Sequence, residues 1–221
     1  MIKIEHWETY GWRAAIRGMR NPKNSWEKSD SQFDREVKNY FDEDDVPCID
    51  ISQFLIGPND IELMVKLCNA GTDHGKFMRM ITVTADITAP LYWWKEYDTY
   101  KVGTVANSCS TMHKIADKEF TLDDFSHEQM HDAFRADLQR LVKLLNIARN
   151  KFLETGDKRF WWDMIQLLPS SYNQRRTVQL NYAVLRNMYH ARKGHKLDEW
   201  RNFCAWMETL PYSRLITWDL T

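Results

Sequence analysis

Apolar and polar residues alternate between Ile81 and Thr88: Ile81, Val83, Ala85 and Ile87 stand against Thr82, Thr84, Asp86 and Thr88. A period of two with β-branched side chains predicts a strand with one buried face, and Pro90 ends it. Elsewhere the period lengthens. Trp12, Ala15, Ile16 and Met19 share a helical face that Asn21-Pro22 stops. The stretch "DIELMVKLCNAG" predicts a helix with Asp60 as N-cap and Gly71 beyond its end. Met130, Phe134, Leu138, Leu141, Leu145, Ala148 and Phe152 form the longest stripe, which predicts a helix opened by a capping box of Ser126 and Gln129 and ended at Gly156. "TVQLN" predicts a short strand, with Asn181 as the cap of a helix over "YAVLRNMYHAR". A last helix buries Leu197, Trp200, Cys204 and Met207. Near the start, a short amphipathic helix is expected through Phe33, Val37 and Tyr40, and the acidic run Asp42 to Asp45 reads as a solvated turn. Strands mixed with long helices predict an α/β (α+β) fold, and nothing divides the chain, so one domain over residues 1–221 is expected.

Composition narrows the function classes. The chain has 221 residues, 43% of them hydrophobic, and a formal net charge of -1. That balance gives no global pull on nucleic acid or on an anionic membrane. No apolar run approaches the length of a membrane span, and "MIKIEHWETYGW" lacks the apolar core of a signal peptide. Cys48, Cys68, Cys109 and Cys204 are widely spaced without a CxxC pair, as expected of reduced thiols in a cytoplasmic protein. Ten tryptophans are many for this length and suit core and interface packing.

Three features carry candidate chemistry. His127-Glu128-Gln129-Met130-His131 matches H-E-x-x-H, in which two histidines one helical turn apart hold zinc and the glutamate acts as base. A zinc-dependent hydrolase is therefore one reading; the polar first turn of a helix explains the same residues, and no third ligand follows, so no metal site is assigned. Cys109, between Ser108 and Ser110, has the setting of a nucleophile, but no histidine is placed by sequence to activate it and a buried inert thiol is the preferred reading. Around the last strand, Arg175, Arg176, Arg186, Arg192, Lys193 and Lys196 form a basic cluster. Asn181, Asn187 and Arg192 would converge near one helix, where amide and guanidinium groups suit a nucleotide; the alternative is an ordinary helix with arginines on its wet face.

The stretch "YKVGTVANSCSTMH" resembles the signature of flavin-dependent thymidylate synthases. That signature runs Arg-His-Arg, two residues, Ser, one residue, Asn-Glu, one residue, Ser, one residue, Arg-Tyr. Anchored on Asn107 and Ser110, which match, the chain has Tyr100, Lys101 and Val102 in place of Arg-His-Arg, and Ser108 and Met112 in place of the glutamate and last arginine. "DHGKFMRMITVTADITAP" is similar to the family's Gly-His segment and following strand: His74 matches, whereas Lys76 and Arg79 replace a threonine and a glutamate. Leu168-Pro169, Asn181, Asn187 and Arg192 fall at the family's spacing, and Ile165 replaces an arginine that binds phosphate there. Over residues 60 to 210, then, the resemblance implies a central mixed sheet with long flanking helices. It also implies a homotetramer with sites shared between subunits, and FAD or a pyrimidine nucleotide held by Asn107, Ser110, Asn181, Asn187 and Arg192. NADPH and methylene-tetrahydrofolate would be used only where dUMP methylation (a methyltransferase activity) is retained. The missing arginines argue against that activity, and a non-enzymatic oligomer that binds a nucleotide or a protein is the alternative.

Overall fold

The computed structural model describes residues 2–33, 40–41, 47–48 and 54–218. Its sheet grows from the alternating segment. Strand β6 (Thr82–Pro90) buries Val83, Ala85, Ile87 and Ala89 and turns its threonines and Asp86 to a half-exposed face. It pairs with β1 (Lys3–Tyr10) on one side and with β8 (Asn173–Asn181) on the other, and β8 carries β7 (Val105–Ser108) at the far edge. Across the polar face, Asp86 accepts hydrogen bonds from Thr177 Oγ1 and Arg175 Nη2, both at 2.6 Å. All three pairings are antiparallel, which corrects the expected mixed sheet. The mixed sheet is implied by the resemblance alone; the clean alternation of β6, with one half-exposed face, is the pattern of antiparallel pairing.

Helices α1 (Trp12–Arg20), α3 (Leu91–Tyr97), α7 (Tyr182–Arg192) and α8 (Asp198–Glu208) contribute most of the buried side chains that share a core with the sheet. The tryptophans explain themselves here. Trp93, Trp94 and Trp200 are fully buried, with Trp93 centred 4.9 Å from each of the other two rings, and Phe203 edge-on to Trp93 at 5.5 Å. Aromatic pairs in such offset and edge-on arrangements add about 0.5–1.5 kcal/mol each beyond area burial.

Helix α2 (Pro58–Asn69) starts three residues earlier than its sequence signals, with Pro58 in its first turn and Gly57 at the N-cap, so Asp60 is not the cap. Asp30 bonds the helix start from outside, accepting from Asn59 N at 3.0 Å and Asp60 N at 3.2 Å. That leaves Asp60 for another task. Its carboxylate is fully buried and meets Arg20 Nε at 2.6 Å, Ser29 Oγ at 2.6 Å and Ser31 Oγ at 2.5 Å. Arg20, only 4% exposed, completes its contacts on the carbonyls of Ser25 at 3.1 Å and Lys28 at 3.0 Å. The network ties the loop through residues 25–31 to both α1 and α2. Burial alone would raise the pKa of Asp60, but the Ser29 and Ser31 hydroxyls and the Arg20 guanidinium hold it below the usual aspartate value.

The long helix, α5 (Asp132–Thr155), begins at Asp132 with His131 as N-cap, not at Ser126. Phe125 is bridged to Tyr172, and Ser126 bonds Ser171 O through its backbone and Asn173 Oδ1 through its hydroxyl, both at 2.8 Å. Pairing with the approach to β8 thus recruits residues that local propensity assigns to a helix start. A capping box does occur earlier, on Thr121 and Asp124, but it opens a separate short 3-10 turn, Leu122–Asp124. Leu138, Leu145 and Ala148 are buried as expected and Val142 joins them, whereas Phe134 is 63% exposed. Gly156 ends the helix at φ 68°, its N–H on Phe152 O at 2.8 Å. With α6 (Lys158–Leu167), α5 encloses a second cluster around Met164, Ile115 and Phe125.

The helix expected through Phe33, Val37 and Tyr40 is absent at both ends. Phe33 belongs to β2 (Gln32–Phe33), paired with β5 (Phe54–Leu55), and Tyr40 to β3 (Tyr40–Phe41), paired with β4 (Pro47–Cys48). Val37 and the run Asp42 to Asp45 lie outside the described residues. Among the described residues no helix is long and apolar enough to cross a membrane.

Candidate ligand site

β8 runs directly into α7 at Asn181, whose Oδ1 accepts from Val184 N at 3.0 Å and caps the helix. Gly103 lies against this helix start. A Cβ added there would come within 2.8 Å of Asn181 Nδ2 and 3.1 Å of Val184 Cγ2, and its φ is +79°. The loop reaches the helix because residue 103 has neither side chain nor left-handed penalty. Between this loop, the segment 68–79 and α7 lies a cavity of about 760 Å³. That is a volume suited to an organic ligand, and its make-up, apolar walls with few polar groups, is that of a small-molecule site. Met78, Val102, Ala183 and Val184 supply apolar surface, and Asn181, Asn187, His190, Arg79 and Arg186 the polar groups. Cys68 is also in the wall, and burial pushes its thiol up to about 11, so it is not a thiolate at neutral pH.

Two of the expected site residues, Asn181 and Asn187, meet in this cavity. Arg192 lies on a neighbouring one of about 820 Å³, with Glu96, Thr99, Leu168 and His195. Its guanidinium is held there: Nη1 is 2.8 Å from Glu96 Oε2, Nε donates to Tyr100 Oη at 2.9 Å, and the group sits 4.8 Å from the centre of the Trp200 ring. Asn107 is in the exposed strand β7 opposite Thr177, and Ser110 caps α4 (Thr111–Lys114) by accepting from His113 N at 3.1 Å. Cys109 between them is exposed, which corrects its reading as a buried thiol. Its backbone is tied to the start of β8, N–H on Arg175 O at 3.0 Å and carbonyl on Gln174 Nε2 at 3.1 Å.

The basic cluster is less basic than its sequence. Arg175 pairs with Asp86 at 2.6 Å, and Arg176 with Asp98 at 2.8 Å while stacking 4.2 Å from the Trp94 ring centre. Sequence reasoning passed over Gly103 and His190, and named Arg186 only within the basic cluster and Arg79 only as the replacement of a glutamate, not as site residues. A signal existed for Arg186, a charged residue four positions after buried Tyr182, on the buried side of α7 with Leu185 and Met188.

The H-E-x-x-H match does not have the helical geometry that its metal reading needs. His127 precedes α5 and holds Phe125 O through Nδ1 at 2.8 Å, and His131 is the N-cap, so the two rings do not lie one turn apart on a helix. Gln129 Nε2 instead donates to Asp198 Oδ2 at 2.8 Å. No cluster of three or more histidine, cysteine or acidic side chains suited to a metal occurs among the described residues. Replacing His127 and His131 together by alanine is expected to lower stability by about 1 kcal/mol or less, the scale of one neutral hydrogen bond. Loss of stoichiometric zinc and of a hydrolytic activity in the double variant is the result that would contradict this.

No protein-family model matches the chain, and no match is found among curated proteins. Solved structures do match. Thymidylate synthase X from Helicobacter pylori with FAD and dUMP superposes with a TM-score of 0.68 at 15% identity, over 99% of this chain and 96% of that one. A second structure of the flavin-dependent thymidylate synthase from Helicobacter pylori, complexed with FAD and dUMP, gives 0.63 at 16%, over 99% and 97%. A UMP/dUMP methylase, PolB from Streptomyces cacaoi, bound with 5-Br UMP, gives 0.61 at 13%, over 95% and 88%.

Proposed function

We propose, from a chain with the fold of the flavin-dependent thymidylate synthases, a divergent protein that binds FAD or a pyrimidine nucleotide and has lost dUMP methylation. The observation that carries this reading is the cavity at the β8–α7 junction, in a fold whose solved examples hold FAD and dUMP. The residues there fit a flat, polar-edged ring system. Gly103 lets its loop close on Asn181 and Val184 and so form one wall, and the buried Nη2 of Arg186 lacks an acceptor. Asn181, Asn187 and Arg79 would hold the ligand, the asparagines offering amide donors and acceptors and Arg79 a positive charge at the wall. A flavin supplies redox and hydride chemistry when bound; the chain's own part is to bind and orient it.

The remaining expected residues support a site shared between copies. Asn107, Ser110 and Arg192 do not line this cavity in their own chain. Leu144, Ile147 and Leu153 of α5 are each more than half exposed, an apolar surface suited to burial in a cytoplasmic homotetramer of single-domain chains. In such an assembly these residues would serve the ligand of a neighbouring copy.

Denaturing release of whatever co-purifies, followed by mass analysis and FAD titration by fluorescence, tests the reading. A flavin or nucleotide in the extract, micromolar FAD binding and a tetramer by light scattering are expected. A colourless strict monomer that binds neither FAD nor dUMP would dismiss it.

A further inference from the structure

Arg20, Arg175, Arg176 and Arg192 each have a carboxylate oxygen at 2.6–2.8 Å. Arg186 breaks this pattern. It is 8% exposed, its Nη1 donates to Leu215 O at 2.9 Å, and its Nη2 is buried without a hydrogen-bond partner. No ion pair to it forms among the described residues. Cys68 shares the cavity wall, but its thiol is neutral at physiological pH and supplies no counter-charge. A buried guanidinium with one carbonyl partner is an expensive group to keep, because neither its charge nor its full set of donors is compensated. Its place explains its retention: Arg186 belongs to the wall of the cavity at the β8–α7 junction, and is not enclosed in the core away from it.

We propose that Arg186 recognises an anionic oxygen of the ligand in this cavity, through Nη2, while the Leu215 carbonyl holds the other arm of the fork. This rests on the ligand-binding reading of the cavity and adds the chemistry of the group recognised. Two sources have that chemistry: a phosphate, or a ring oxygen that takes up negative charge, such as the pyrimidine-ring carbonyl oxygen of a reduced flavin.

The test uses the full chain and its Arg186→Met and Arg186→Lys variants, each checked for cooperative thermal unfolding. FMN, riboflavin and inorganic pyrophosphate are titrated in turn, with riboflavin also in its reduced form. The expected result is binding weakened about tenfold or more in Arg186→Met, the scale of a charge-assisted hydrogen bond, with a smaller loss in Arg186→Lys. Loss confined to FMN and pyrophosphate assigns the phosphate; loss for reduced riboflavin, absent for oxidised riboflavin and for pyrophosphate, assigns the ring oxygen. Unchanged affinity in a folded Arg186→Met protein overturns the proposal while leaving flavin binding intact. Pyrophosphate binding that depends on Arg186, without any flavin binding, keeps the proposal and overturns the flavin reading. A wild-type chain that binds none of the probes overturns the proposal, and one that also binds neither FAD nor dUMP overturns both. Should Arg186→Met not fold, Arg186→Lys is read alone, and affinities equal to wild type overturn the proposal.

Discussion

Asp60→Asn is expected to cost about 3–5 kcal/mol of folding stability at neutral pH, the scale for breaking a buried ion pair by removing one partner. The reason is Arg20. It is almost fully buried, and in the variant its charge remains inside without a counter-ion, facing an amide that also turns donors toward Ser29 and Ser31. The pH dependence follows from the direction of the Asp60 shift. The folded value lies below the unfolded one, so the contribution of the carboxylate is complete above about pH 4, the unfolded aspartate range, and is lost as pH falls through the lower folded value. Urea denaturation of wild type and variant at pH 7 and again near pH 3 checks this. The gap should be large at the first and narrower at the second. A gap below about 1 kcal/mol at pH 7 would mean that the three serine and guanidinium donors do not act on a charged group.

Given FAD, NADPH, methylene-tetrahydrofolate and dUMP, the purified chain is expected to form no dTMP above background. Four positions that hold arginine in the resembling family are Tyr100, Val102, Met112 and Ile165. Tyr100 is packed against the core and accepts from Arg192, Ile165 packs against the α5–α6 cluster, and Val102 is 88% exposed. None offers a cation. Each missing charge-assisted hydrogen bond is worth about 1.5–3 kcal/mol, so two of them already weaken binding by roughly 10²- to 10⁴-fold. Arg79 and Lys101 bring charge nearby, but Lys101 presents a point charge without the planar fork of arginine. Arg192 keeps its place in sequence, yet its guanidinium is already matched by Glu96. A phosphate arriving there would compete with a carboxylate at 2.8 Å. Turnover like that of an active family enzyme would show that other groups replace these arginines.

Much of the fold was legible because it rests on local period. The β6 alternation, the α1 face, the Asn181 cap and the Gly156 stop all follow from a few neighbouring residues. What escaped was decided by distant partners. Ser126 reads as a cap until β8 claims it, and Asp60 reads as a cap until Arg20 does. The site was half legible for the same reason. Asn181 and Asn187 stand on one helix and meet in one cavity, whereas Gly103 matters only because a loop from another part of the chain comes to rest on Asn181. Arg192 stands at the expected spacing, but its partner Glu96 is on α3, which no pattern in α7 foretells.

The order of strands has a consequence for how the protein is made. Ile4 lies opposite Ile87, and Ile87 opposite Arg176, so the inner ladder joins residues from the start, the middle and the far end of the chain. Such long-range closures slow folding, since loop entropy is lost before the contacts form. During synthesis β1 and β6 can meet early, but the second edge of β6 stays open until the ribosome has passed Asn181. For that interval the nascent chain presents the unpaired N–H and C=O groups of β6 along that edge, a template on which another chain can pair.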